Sequence, residues 1–156
     1  MKRVLLFLLL FSLPLAGFAK YCPTCLQTYQ KQTARGQAQL FYRWSTASMN
    51  PKNRIKSKDF SHIFSKNIKI IINGTTVAYG IPAAWAYFNK MRSRNPIRIS
   101  QLQEIVAEKN KAAIQYVTIS RMKTRKYRNL VVAVLTFKHH KIIHWYGVEH
   151  AYLISR

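Results

Sequence analysis

Residues Leu130 to His150 read LVVAVLTFKHHKIIHWYGVEH. Two alternating apolar runs flank the short polar turn Lys138-His139-His140-Lys141, the pattern of a β-hairpin whose strands each turn one face to a core. Upstream, Ile114, Tyr116 and Thr118 alternate in the same way, and the polar stretch Glu108 to Lys111 reads as the turn that precedes them. The segment before that turn is ambiguous by composition. Gln101, Leu102, Gln103, Glu104 and Ala107 are good helix formers, but Pro96 bars easy entry from a preceding helix, and the alternation beyond the turn favours strands. The run RMKTRKYR, Arg121 to Arg128, then becomes a basic turn leading into the Leu130 strand. Four long strands are therefore expected from Ile97 onward.

The first half of the chain mixes helices with one more hairpin. Ile68 to Ile72 and Thr75 to Tyr79 are β-formers joined by Asn73-Gly74, two residues that tolerate the positive φ of a type I′ turn. Gly80 and Pro82 open a helix over Ala83 to Met91, where a proline in the first turn loses no partner for its missing N–H. Ahead of the hairpin, Lys58 to Phe64 reads as a short helix with Ser57 as N-cap and Asp59 in the first turn, where a negative charge suits the helix dipole. A long first helix is expected from Thr24 to Ser48, with Leu40, Phe41 and Trp44 at helical spacing and Met49 to Asn53 ending it. Helix, helix, hairpin, helix and four strands make an α+β domain, with an antiparallel sheet and helices gathered on one face.

The N-terminus points to export. Lys2 and Arg3 precede an apolar run from Val4 to Leu15, and Ala-Gly-Phe-Ala ends at residue 19 in a small-x-small pattern, so residues 1–19 read as a secretory signal peptide. Removing 19 of the 156 residues leaves 137, divided into an arm over 20–34 and one domain over 35–156, destined for the periplasm or the exterior. Lys and Arg number 26 against 4 Asp and Glu, a formal charge of +22, or +20 once Lys2 and Arg3 are removed. Such a surface attracts anionic lipid or an acidic protein. Export argues against nucleic acid. Arg121, Lys123, Arg125, Lys126 and Arg128 are the densest cations, and a solvated hairpin end accounts for them equally well. Cys22 and Cys25 in YCPTC, with no strand before them, read as a local disulfide candidate rather than a redox or zinc site.

The order of elements and three stretches resemble the nuclear transport factor 2-like superfamily, in its SnoaL-like branch. The stretches are DFSHIFSKNIKIIINGTTVAYGIPAAWAYFNKM, IVAEKNKAAIQYVTIS and VVAVLTFKHHKIIHWYGVEH. The resemblance implies a strongly curved sheet wrapped round N-terminal helices into a cone with an apolar cavity, in a protein that commonly dimerises through the sheet. It also implies a cavity built from Ile70, Ile72, Trp85, Phe88, Ala133, Leu135, Trp145, Gly147 and Glu149. Isomerases of this fold place a carboxylate base and an acidic donor on cavity-facing strands, because proton abstraction beside a carbonyl needs both. Here the base position falls at Ile72 and the donor position at Ala133, neither of which moves a proton.

Glu149 shares the parity of Trp145 and Gly147 and is the one carboxylate expected inside the cone. Burial there would raise its pKa and suit it to proton transfer. An ion pair with one of the many cations, or a place in a dimer interface, is the plainer role. His139, His140 and His144 sit among lysines that repel a metal ion, so neither a metal nor a cofactor is expected. Asp59 is the only Asp, which excludes a Ser-His-Asp triad, and no glycine-rich phosphate loop occurs. Three readings remain: a cone that binds a small apolar or amphipathic ligand or serves as a dimeric structural module, a divergent isomerase- or lyase-like enzyme using Glu149, and a basic interaction protein.

Overall fold

The computed structural model describes residues 33–50, 53, 55–94, 97–122 and 125–155. Residues 1–32, which hold the expected signal peptide and Cys22 and Cys25, lie outside the described residues, as does Lys123. Three helices, α1 (Ala34–Met49), α2 (Ser57–Ile63) and α3 (Gly80–Arg94), accompany six strands: β1 (Phe64–Ile72), β2 (Thr75–Tyr79), β3 (Ile97–Glu108), β4 (Lys111–Met122), β5 (Arg125–Lys138) and β6 (Lys141–Ser155).

Local chemistry sets the helix starts. The first helix begins at Ala34, not at Thr24: Thr33 is extended and caps α1 with its Oγ1, which accepts from the Gly36 N–H at 3.0 Å. At α2 the N-cap is Lys56, not Ser57, which is the first helical residue. The correction follows from Asp59: its carboxylate accepts from the Lys56 N–H at 2.7 Å and draws the cap one residue back. Asp59 is the helix-starting residue its position suggested.

The strands form one curled, open sheet in the order β2-β1-β6-β5-β4-β3. All neighbours are antiparallel except β1 and β6, which run parallel, so the expectation of a wholly antiparallel sheet needs that one correction. The cause is the crossover: β1 enters the sheet first, and the chain returns to its free edge only with the last strand. Register shifts in β3 at Ile99/Gln101 and Leu102/Glu104 bend its end of the sheet, as bulges do. Helix α1 lies against β3 and β4, and α3 against β1 and β2, so the sheet wraps the helices.

One end of the cone is filled with rings. Phe41 of α1, Phe60 of α2, Phe64 of β1 and Phe88 of α3 are at most 1% exposed. Trp44 packs edge-on against Phe60 at 5.0 Å and Phe64 at 5.1 Å, and Trp145 of β6 meets Phe41 at 5.0 Å. Edge-to-face contacts of this kind add to the energy of burying each ring.

Candidate functional site

On the concave face, residues two apart on β4, β5 and β6 point inward. The register places Trp145 beside Leu135, Gly147 beside Ala133 and Glu149 beside Val131, with Tyr116 and Thr118 continuing the rows on β4. Moving from Trp145 toward Glu149 leads from the ring-filled end to the mouth. There a cavity of about 60 Å³ remains, walled by Met49, Ile72, Met91 and Val131 and by Tyr87, Tyr116, Thr118, Trp145, Gly147, Val148 and Glu149. It has space for a fragment of a ligand rather than a drug-sized molecule, since pockets for those run to about 300–1,000 Å³.

Gly147 keeps this space open. A Cβ at that position would lie 2.8 Å from the Ile72 Cδ1 and 3.3 Å from the Trp145 Nε1. The Trp145 indole nitrogen is buried and has no hydrogen-bond partner among the described residues. A buried N–H without an acceptor costs about 1–3 kcal/mol, so an acceptor supplied from the cavity would be favoured there.

Asn73, which read only as a turn residue, has a second role. Its φ of 48° and the 80° of Gly74 form the β1–β2 turn. From that turn its N–H donates to the Gly147 carbonyl at 2.9 Å, and its Oδ1 accepts from the Glu149 N–H at 2.9 Å. The turn thus fixes the backbone of both cavity residues where the β1–β6 ladder ends.

Glu149 stands at the rim. Its side chain is substantially open to solvent yet backs onto the cavity, and desolvation on that side raises its carboxyl above the ordinary range, an effect the open side limits. Among the described residues it has no ion-pair partner; the one ion pair there joins the exposed Lys109 and Glu108. Tyr87 is raised by burial and then by the Glu149 charge. Tyr116 is raised by burial, then by Glu149, Tyr87 and Tyr42. Both phenols therefore stay protonated and able to donate near neutral pH. Beside them, Asn129 Nδ2 donates to Thr118 Oγ1 at 3.0 Å and to Ser120 Oγ at 3.1 Å, all three residues being buried. Accepting from Asn129 leaves each hydroxyl its own proton to donate.

No family model matches the chain, and no curated protein matches it. Solved structures do. A candidate polyketide cyclase from Xanthomonas campestris pv. campestris superposes with a TM-score of 0.62 at 12% identity, over 76% of this chain and 91% of that one. A candidate SnoaL-like polyketide cyclase from Jannaschia sp. CCS1 gives 0.61 at 10% identity, over 72% and 84%. A nuclear transport factor 2-like protein from Burkholderia xenovorans LB400 gives 0.59 at 18% identity, over 74% and 88%. The chain has the nuclear transport factor 2-like fold, and SnoaL-like cyclases are among the structures it resembles. Identities this low carry the fold and nothing of the chemistry.

Within that cone, four of the nine expected cavity residues line the space: Ile72, Trp145, Gly147 and Glu149. Ile70, Phe88, Ala133 and Leu135 lie at most 1% exposed in the core and do not border it. Trp85 is a correction: at 36% exposed it sits at the surface, because the buried stripe of α3 runs through Ala84 and Phe88. The tyrosines and Thr118 were not assigned to the cavity from sequence, although Tyr116 and Thr118 continue the inward parity of Ile114. Arg121, Arg125, Lys126 and Arg128 are all exposed around the β4–β5 hairpin end. His139 and His140 occupy the β5–β6 turn, with His140 Nδ1 2.9 Å from Gln37 Nε2. Among the described residues no group of three His, Cys, Asp or Glu is placed to hold a metal.

Proposed function

We propose that the protein binds a small, largely apolar molecule carrying a hydrogen-bond acceptor, seated in the mouth of the cone. The observation that carries this reading is the buried Trp145 indole N–H without a protein acceptor, at a cavity kept open by Gly147. Met49, Ile72, Met91 and Val131 supply the apolar wall. The Tyr87 and Tyr116 hydroxyls and the Glu149 carboxyl supply polar groups for the end that faces out. The setting is the periplasm or the exterior, from the signal-peptide pattern of residues 1–19, and a dimer contact of the kind the resemblance implies would use the exposed outer-face pair Val134 and Tyr146.

The test is the indole N–H resonance of Trp145 during titration with small ketones and with their hydrocarbon counterparts. Ketones should move that resonance downfield and hydrocarbons should not. Shifts confined to Trp44 and Trp85, or equal for both series, would contradict the reading.

A second reading is favoured by one observation: Glu149 lines the same cavity as the Tyr87 and Tyr116 phenols and has no ion-pair partner among the described residues, where burial raises all three groups. Once ionised, a carboxylate so placed takes a proton from a bound molecule and becomes the neutral carboxyl, while a tyrosine donates to the oxygen where charge develops. Exchange of a deuterium label next to the carbonyl of a bound ketone, lost in Glu149→Gln, would establish it. Equal exchange in both proteins would remove it.

A further inference from the structure

The last strand outruns its neighbour. The β1–β6 ladder ends at Ile72 and Gly147, and Asn73 closes it by bonding the Gly147 carbonyl and the Glu149 N–H. Those two bonds show that odd-numbered residues at this end of β6 turn their backbone polar groups away from β5. Because both groups of a strand residue point to one edge and alternate along the chain, Ala151 and Leu153 present their N–H and C=O to the same open edge. Among the described residues no strand pairs with that edge. A register shift between Leu153 and Ser155 opposite Lys126 and Tyr127 ends the regular stretch.

Among the described residues this edge lacks the usual protection against strand addition. His150 to Ile154 contains no Lys, no Pro and no acidic residue, and Tyr152, Leu153 and Ile154 are 51%, 46% and 47% exposed. Its surroundings are cationic. Arg128 pairs across from Tyr152, Lys126 from Ser155, and Arg121 and Arg125 stand at the adjoining hairpin end, all exposed. An added strand would lie about 10 Å from β5, two strand spacings, a gap long basic side chains reach across. Two copies of this chain pairing edge to edge would bring two such cationic ends face to face, a local repulsion that a contact elsewhere on the sheet avoids.

We infer that the β6 edge from Ala151 to Leu153 receives an extended acidic segment of another protein by β-augmentation, its backbone bonded to β6 and its carboxylates met by Arg128 and Lys126 of β5. This inference is independent of the cavity reading. It gives the protein's excess positive charge a geometric address.

The experiment uses the mature protein and a fluorescein-labelled ten-residue peptide of alternating Val and Glu. The controls are the Val and Lys version, and an acidic peptide with proline at alternate positions, which lacks the N–H groups a ladder needs. The acidic alternating peptide should bind at least about 10-fold more tightly than either control, weaken about 10-fold between 0.05 and 0.5 M salt, and slow hydrogen exchange at the Ala151 and Leu153 amides. Leu153→Pro, which removes an edge-facing N–H and no hydrogen bond to β5, should weaken it by at least about 10-fold. Lys126→Glu with Arg128→Glu should do the same if the proline variant fails to fold. Equal binding of the proline-containing peptide, binding without protection at Ala151 and Leu153, no binding, or a dimer dispersed by Leu153→Pro would each overturn the inference.

Discussion

The two ends of the cone are built on the same strands with the same inward parity and do opposite things with it. At the closed end, Phe41, Phe60, Phe64, Phe88 and Trp145 fill the space between sheet and helices with rings at van der Waals contact. At the mouth, the rows continue as Gly147 and Glu149 on β6, Asn129 on β5, and Thr118 and Ser120 on β4. A small residue, a carboxyl, an amide and two hydroxyls take the place of the packed phenylalanines there, beside the phenols of Tyr87 and Tyr116. The difference teaches that the fold draws its stability from one end and is free to keep polar, incompletely filled space at the other.

Substitutions can break that division. Phe64→Ala, at the closed end, should lose about 3–5 kcal/mol of unfolding free energy, read from the denaturant midpoint at unchanged slope. An effect under about 1 kcal/mol would show that the ring cluster does not carry the fold. Asn129→Ala removes the donor shared by Thr118 and Ser120 and should cost about 1–3 kcal/mol in the same assay, because two buried hydroxyls lose their partner. Gly147→Ala should cost about 1 kcal/mol or less, since the displaced Ile72 Cδ1 is the end of a side chain that can turn aside, but it moves into the cavity and should weaken binding there at least about 10-fold.

Glu149→Gln is the smallest in stability and the most informative in pH. The folded carboxyl is raised by desolvation, so the folded protein holds its proton more tightly than the unfolded chain does. Below the ordinary carboxyl value of 4.5 both states are protonated and Glu149 contributes nothing to the pH dependence. As pH rises from there through the raised folded value, the native protein loses stability relative to the variant. The stability difference between Glu149→Gln and the native protein should therefore appear above about pH 4.5, in favour of Gln, and level off once Glu149 is ionised in both states. A difference of opposite sign would mean that a cation holds the carboxylate.

Much of the fold was legible because the decisive signals were local. Asn73-Gly74 announced one hairpin, and the alternation from Leu130 to His150 announced another. Pro96 and the alternation of Ile114, Tyr116 and Thr118 outweighed the helix-forming composition of residues 101–107. The parallel pairing of β1 with β6 was not legible, since it joins residues some 75 positions apart and leaves no short-range trace. Parity placed Trp145, Gly147 and Glu149 correctly on one face but could not say where packing ends and open space begins. Ile70, Ala133 and Leu135 were therefore assigned to a wall that they support from behind. Trp85 went astray because three-residue spacing with Phe88 does not fix the phase of a helix, and Ala84 supplies the buried position instead. The second role of Asn73 arises from tertiary contact with β6, which no turn motif encodes.

Native mass spectrometry of the mature protein and of Gly147→Ala, each isolated from its own compartment and then denatured, tests the central claim most directly. The cavity account predicts that the native protein carries a small mass released on denaturation, and that the variant carries markedly less of it. A native protein that flies without a bound mass, or one whose bound mass is retained equally by Gly147→Ala, would contradict it.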